Sequence, residues 1–223
     1  MKPDDNQDIH AKDNNTQKNC FLEIFMADPV IYLFRHGETE WNIEGRRQGH
    51  LNSPLTSRGR LQAQNNARCF KQNSSLAEPI IIYSSPIERA RETALIMLNE
   101  LSISTSSIIF DDRLKESSFG DWEGLTDPEV AERYPVSWQA RMMDRWNARP
   151  PSGESYADVN CRVSEWYNEV EFAKTTLVIC HGLTSRVLRG VYMGLSHQEV
   201  FGLAEPHDGF FKLSRGTISY ITQ

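Results

Sequence analysis

Three apolar runs in this chain each end in residues able to handle an anion. The first closes on Arg35-His36-Gly37-Glu38-Thr39. The second passes into Ser84-Ser85-Pro86, with Arg89 just short of one helical turn beyond. The third closes on His181-Gly182. Arginine forks match phosphate oxygens bidentately, so Arg35 and Arg89 point to a phosphoryl ligand. A neutral imidazole can attack phosphorus and form a covalent intermediate. Neighbouring guanidinium charges disfavour the imidazolium and keep the attacking nitrogen free. The same positive groups would stabilise the phosphoryl oxygens, a role that metal ions fill elsewhere. No clustered Asp/Glu/His ligand spacing is present, so the site is expected to use neither metal nor other cofactor. A general acid is still required, a carboxylic acid able to protonate the leaving oxygen beside a bound phosphate.

These residues act together only if the fold brings His36 and His181, 145 positions apart, to one place. The runs Val30–Phe34, Ile80–Tyr83 and Thr176–Cys180 are continuous, branched and apolar, as strands covered on both faces require. Ser107–Phe110 and Gly216–Ile221 are further strand candidates. Helical patterns cover Arg58–Gln72, Glu88–Leu101, Asp127–Trp146, Tyr156–Phe172 and Leu183–Leu195. Such alternation predicts a mainly parallel sheet with helices on both faces. Ligands of open α/β sheets bind beyond the carboxyl ends of the strands, where helix N-termini converge. Parallel strands would put all three chemical ends on one edge. Taken singly, each histidine, arginine or glycine reads more readily as a surface, core or turn residue, and the joint placement is what carries the inference.

Composition bounds the rest. The chain has 223 residues, 39% of them hydrophobic, with 30 acidic and 24 basic residues for a net charge of −6. That balance argues against a nucleic-acid binder, and no apolar run approaches the roughly 20 residues of a membrane span. Cys20, Cys69, Cys161 and Cys180 form no CxxC pair and read as reduced thiols of a cytoplasmic protein. Residues 1–28 carry six acids and three lysines, which is half of the net charge. The first nineteen hold only three apolar residues, so a disordered polar tail is expected, with the folded unit beginning near Met26 and filling 29–223.

Leu33-Phe34-Arg35-His36-Gly37-Glu38-Thr39-Glu40-Trp41-Asn42 resembles the signature of the histidine phosphatase superfamily, also called phosphoglycerate mutase-like. The resemblance extends through Arg47-Gln48-Gly49, Ser53-Pro54-Leu55-Thr56, Ser84-Ser85-Pro86 with Arg89-Ala90, Glu116 before Phe119-Gly120-Asp121-Trp122-Glu123-Gly124, and Cys180-His181-Gly182. It implies a three-layer α/β/α sandwich in which His36 becomes phosphorylated. Arg35, Arg89 and His181 would form the phosphate pocket with Gly182, and Asn42 and Gln48 would add hydrogen bonds. Glu116 falls at the family's proton donor, a role that nothing else in the sequence singles out. Cys180 stands where a serine is common, a change expected to be tolerated.

Phe119-Gly120 replaces the Tyr-Gly usual in the glycolytic mutases, and the folded unit is short for a mutase. Both features look like the phosphatase branch, which includes alpha-ribazole phosphatase-like and broad-specificity enzymes. A metal-independent phosphomonoesterase acting on a small phosphorylated metabolite, as monomer or homodimer, is therefore the first expectation. The alternatives are a mutase and a catalytically silent phosphate-binding protein. The segment 127–155 reads either as a cap whose Arg141, Arg145 and Arg149 meet the substrate, or as an amphipathic helix with Trp138 and Met142 in the core, the latter being preferred. Glu154 is expected to serve in structural hydrogen bonding.

Overall fold

A computed structural model describes residues 29–74, 80–170, 172 and 175–222. The expectations of a disordered tail over 1–28 and of a start at Met26 lie outside the described residues. Six strands form one sheet: β1 (Val30–Arg35), β2 (Ile80–Ser84), β3 (Ile108–Phe110), β4 (Thr175–Cys180), β5 (Phe210–Ser214) and β6 (Thr217–Ile221). Their order is β3-β2-β4-β1-β5-β6, with β1 to β4 mutually parallel and β5 antiparallel to both its neighbours, β1 and β6. The register pairs Arg35 with Cys180 and Ser84 with Ile179, so β1, β4 and β2 finish level. Two bonds carry the alignment past the strand ends: His36 N donates to Cys180 O at 3.0 Å and Ser85 N to Ile179 O at 2.9 Å.

Strand alternation sorts the core into two layers. Ile31, Leu33, Val178 and Cys180 face α6 (Tyr156–Glu169) and α7 (Gly182–Met193). Tyr32, Phe34, Leu177 and Ile179 face α2 (Ser57–Asn73) and α3 (Glu88–Leu101). Ala63 and Ala67 of α2, with Ala90 and Ala94 of α3, supply the small residues where these two helices meet the sheet. The result is the expected three-layer α/β/α sandwich on a mainly parallel sheet. Leu177 is fully buried in the second layer. Leu177→Ala should cost about 2–5 kcal/mol through its cavity, lowering Tm by about 5–15 °C in a chain of this size. Thermal unfolding checks this, and a shift under 2 °C would contradict the packing.

Four elements differ from the sequence reading. The helix expected over Asp127–Trp146 is two helices, α4 (Asp127–Arg133) and α5 (Pro135–Met143). Pro135 opens α5 because it lacks the N–H needed to continue α4 and pushes Tyr134 out of helical geometry. The last strand is half of a hairpin whose other member, β5, was not expected. Arg215 and Gly216 turn it with φ of 51° and 69°, the left-handed pair of a tight β-turn. Two short helices, α1 (Glu40–Glu44) and α8 (His197–Gly202), were also unforeseen. No helix among the described residues is long and apolar enough to cross a membrane.

Candidate active site

The loop after β1 carries His36 and lies directly on backbone. A Cβ at Gly37 would stand 2.2 Å from Gly59 O, and one at Gly59 would stand 2.1 Å from Glu38 O. Glycine at both positions lets the loop seat on the first turn of α2. From there Thr39 caps α1 reciprocally with Asn42, and Gln48 Nε2 donates to Thr39 Oγ1 at 2.8 Å.

His36 is buried, and its tautomer follows from its neighbours. Nδ1 lies 2.8 Å from Gly37 O, which can only accept, so Nδ1 carries the proton. Arg89 Nε, which can only donate, points at Nε2 from 3.3 Å. The lone pair is therefore on Nε2. Burial is the largest influence holding His36 well below the usual imidazole range, followed by Arg89, Arg35 and His207. The sequence reading credited the arginines alone.

Arg89, only 1% exposed, is pushed down to about 10, chiefly by burial. It is fixed by bonds to Gly49 O and Leu51 O, both 2.8 Å, while its backbone N–H bonds Asn52. Glu123 fixes that loop in turn by accepting from His50 N, Leu51 N and Phe119 N.

His181 follows β4 and its ring centroid is 5.2 Å from that of His36. Its Nε2 is 2.8 Å from Ser85 Oγ, and its Nδ1 is buried without a protein partner. Burial and then Arg89 hold it, too, well below the usual range. Cys180 has its thiol pushed up to about 12, first by burial, so it stays neutral and packs as a small apolar residue. Arg35 Nη1 donates to Glu205 O, and its buried Nε has no partner. Gly182 leaves room for this: a Cβ there would meet Glu205 Oε2 at 2.6 Å and Arg35 Cζ at 3.2 Å.

Glu116 reaches the N-terminus of α7 from a different segment. His181, the residue before that helix, offers no side-chain cap. Instead the Glu116 carboxylate accepts from Leu183 N and Thr184 N, both 3.2 Å, and from Ser117 N at 3.0 Å. A carboxylate from elsewhere thus satisfies amides that every helix start leaves unpaired. Behind it, Arg162 bonds Glu116 O at 3.1 Å and pairs with Glu154, whose carboxylate also accepts from Ser118 N at 2.8 Å. This is the structural role expected of Glu154, directed at the Glu116 segment.

Arg35, His36, Asn42, Gln48, Arg89 and Glu116 all line one cleft of about 500 Å³, with His181 packed against His36 beneath it. Seven arginines and three carboxylates line this cleft among the described residues, so it is locally positive in an acidic protein. Trp138, Arg141, Met142 and Arg145 also line it, and Trp138 packs on the buried Trp122 ring at 5.8 Å. Met142 is 54% exposed rather than in the core. Arg149 is apart from them, bonded to Asp158 at 2.6 Å.

His207 was missed. Its Nδ1 donates to His36 O at 2.9 Å, and burial, then Arg35, pushes it down to about 4. Its sequence signal was only one of six histidines, in Glu205-Pro206-His207 just before the hairpin. Three imidazoles kept neutral by burial make stability depend on pH. Unfolded imidazoles titrate near 6.5, so as pH falls the unfolded chain binds protons first. Stability should be complete above about 6.5 and fall towards about 4, each histidine contributing up to about 1.4 kcal/mol per pH unit. Urea unfolding across that span checks this; a flat profile would contradict it.

Residues 31–208 match the histidine phosphatase superfamily, branch 1. The chain belongs to that superfamily. It is 30% identical over 180 residues to the 2,3-bisphosphoglycerate-dependent phosphoglycerate mutase of Bartonella bacilliformis, covering 77% of this chain and 84% of the mutase. It is 32% identical over 168 residues to phosphoserine phosphatase 1 of Hydrogenobacter thermophilus, covering 74% and 76%. Among solved structures, a mycobacterial glucosyl-3-phosphoglycerate phosphatase in complex with VO3 superposes with a TM-score of 0.70 at 25% identity, covering 86% of this chain and 96% of that one. Relatives of this superfamily member thus include both phosphatases and mutases.

Proposed function

We propose that this chain is a cytoplasmic phosphomonoesterase that acts on a small phosphorylated metabolite through phosphohistidine at His36. The observation that carries the reading is the neutral His36 imidazole, with its Nε2 lone pair turned towards Arg89 in a cleft rich in arginine. The Nε2 lone pair forms the N–P bond while the P–O bond to the leaving group breaks. The leaving oxygen takes a proton from Glu116. Water then attacks phosphorus, giving a proton to Glu116, and the N–P electrons return to Nε2. Arg35 Nε and His181 Nδ1, buried without protein partners, suit equatorial phosphoryl oxygens, as does Arg89. Asn42 and Gln48, both on the cleft wall, would supplement them.

Phosphoglycerate mutase is the second reading, favoured by the Bartonella relative. Phe119, in place of the mutases' tyrosine, lines the cleft beneath the Arg47 guanidinium at 4.9 Å and supports hydrolysis. A silent binding protein is disfavoured because His36 and Glu116 are both retained. The deciding experiment measures phosphate release from phosphoserine, phosphoglycerates, sugar phosphates, nucleotides and ribazole phosphate beside 3- to 2-phosphoglycerate conversion. Release should dominate, be inhibited by vanadate and be indifferent to EDTA. Interconversion exceeding release would reverse the assignment.

A further inference from the structure

The cleft holds more positive charge than one phosphoryl group can use. Arg35 and Arg89 serve the His36 end. Among the rest, Arg46 pairs with Glu44 at 2.7 Å and Glu129 at 3.0 Å, Arg47 with Asp127 at 2.8 Å, and Arg186 with Glu205 at 3.0 Å. Arg141 and Arg145 face no carboxylate among the described residues. Arg141 is only 4% exposed, and its Nη1 donates to a backbone carbonyl, that of Ala148. A guanidinium buried with no counter-charge is strongly unfavourable unless something else supplies the anion.

Tyr156 organises these groups. It is 2% exposed and lines the cleft. Its phenol oxygen accepts from Arg186 Nη1 at 2.9 Å and from Arg145 Nη2 at 3.3 Å. Arg141 and Arg145 stand 5.5 and 5.4 Å from its ring centre. Phe201 meets the ring edge-on at 5.0 Å, and Trp146 stacks on it at 5.9 Å while lying 3.6 Å from His197 on a parallel plane. The platform is therefore rigid, so a ligand would find the two guanidinium groups already placed. Burial pushes Arg141 down to about 10, with Arg47 and Arg145 adding to the effect and Tyr156 opposing it.

Resting on the phosphomonoesterase reading, we propose that Arg141 and Arg145, held on Tyr156, form a second anion subsite, and that the preferred substrate is a phosphomonoester bearing a second anionic group, carboxylate or phosphate. Arg149 provides the contrast: an arginine of the same segment that has its own aspartate and does not line the cleft.

The test uses matched esters on the full chain. 3-Phosphoglycerate against glycerol 3-phosphate reads a carboxylate, and fructose 1,6-bisphosphate against fructose 6-phosphate reads a second phosphate. In one pair or both, kcat/KM should favour the doubly anionic member about 10- to 100-fold. Arg145→Gln should cut that preference at least about tenfold, through KM, and the exposed position of Arg145 keeps folding out of the result. Arg141→Met should act in the same direction. The same pairs titrated calorimetrically into His36→Ala read the subsite without turnover. No preference in either pair, or equal losses for both members in Arg145→Gln, overturns the subsite. p-Nitrophenyl phosphate, which has no second anion, reports the other reading separately. If neither it nor any ester of the two pairs releases phosphate, the phosphatase assignment fails while calorimetry still judges the subsite.

Discussion

His36→Ala is expected to lose phosphate release by at least about 10⁴-fold, since removing a nucleophile leaves only binding and electrostatic stabilisation. The chain should stay folded. Beyond its backbone, His36 contributes one hydrogen bond to Gly37 O and accepts one from Arg89, whose other bonds to Gly49 and Leu51 remain. The His207 contact is to the His36 carbonyl and survives the change. A loss of activity with wild-type Tm would therefore locate the defect in the chemistry. Acid-quenched reactions with ³²P-labelled ester should trap an acid-labile, base-stable phosphoenzyme in the wild type and none in the variant. Appreciable turnover by His36→Ala would end the phosphohistidine mechanism.

Glu116→Gln should slow hydrolysis by about 10²- to 10⁴-fold for esters of basic alcohols, the usual contribution of a positioned acid. p-Nitrophenyl phosphate, whose leaving group departs as a stable anion, should be slowed far less. A plot of log kcat against leaving-group pKa should steepen in the variant. Parallel lines would remove Glu116 from the acid's role. The same change replaces a carboxylate at the start of α7 by an amide, leaving an N–H group there short of an acceptor. Stability should fall by about 0.5–2 kcal/mol, the range for losing an N-terminal cap.

The sheet and the site were legible where sequence and burial speak together. β1, β2 and β4 are covered on both faces, so their apolar runs announce them, and their chemistry sits immediately beyond. β5 was hidden because Phe210–Ser214 mixes apolar with polar residues and follows a loop of His, Asp and Gly. The break at Pro135 is readable from proline's missing N–H, although the apolar pattern runs on across it. Arg162, at the back of Glu116, sits in an amphipathic helix where an arginine reads as solvated. Its partner Glu154 lies eight residues away across a loop, a pairing that no helical spacing suggests. Glu116 itself gave no local signal, because its work depends on α7 arriving from 67 residues further along.

That arrival has a consequence for how such a gene would decay. His36 can be lost with little injury to the fold, since the loop around it is held by backbone and by neighbours. Losing Glu116 injures it more, because the carboxylate proposed as acid also caps the helix that follows His181. A duplicated copy released from selection for activity would therefore drift first at the nucleophile and keep the acid. Descendants carrying Glu116 without His36 would be stable proteins that still bind the phosphate, whereas the reverse combination should be rare.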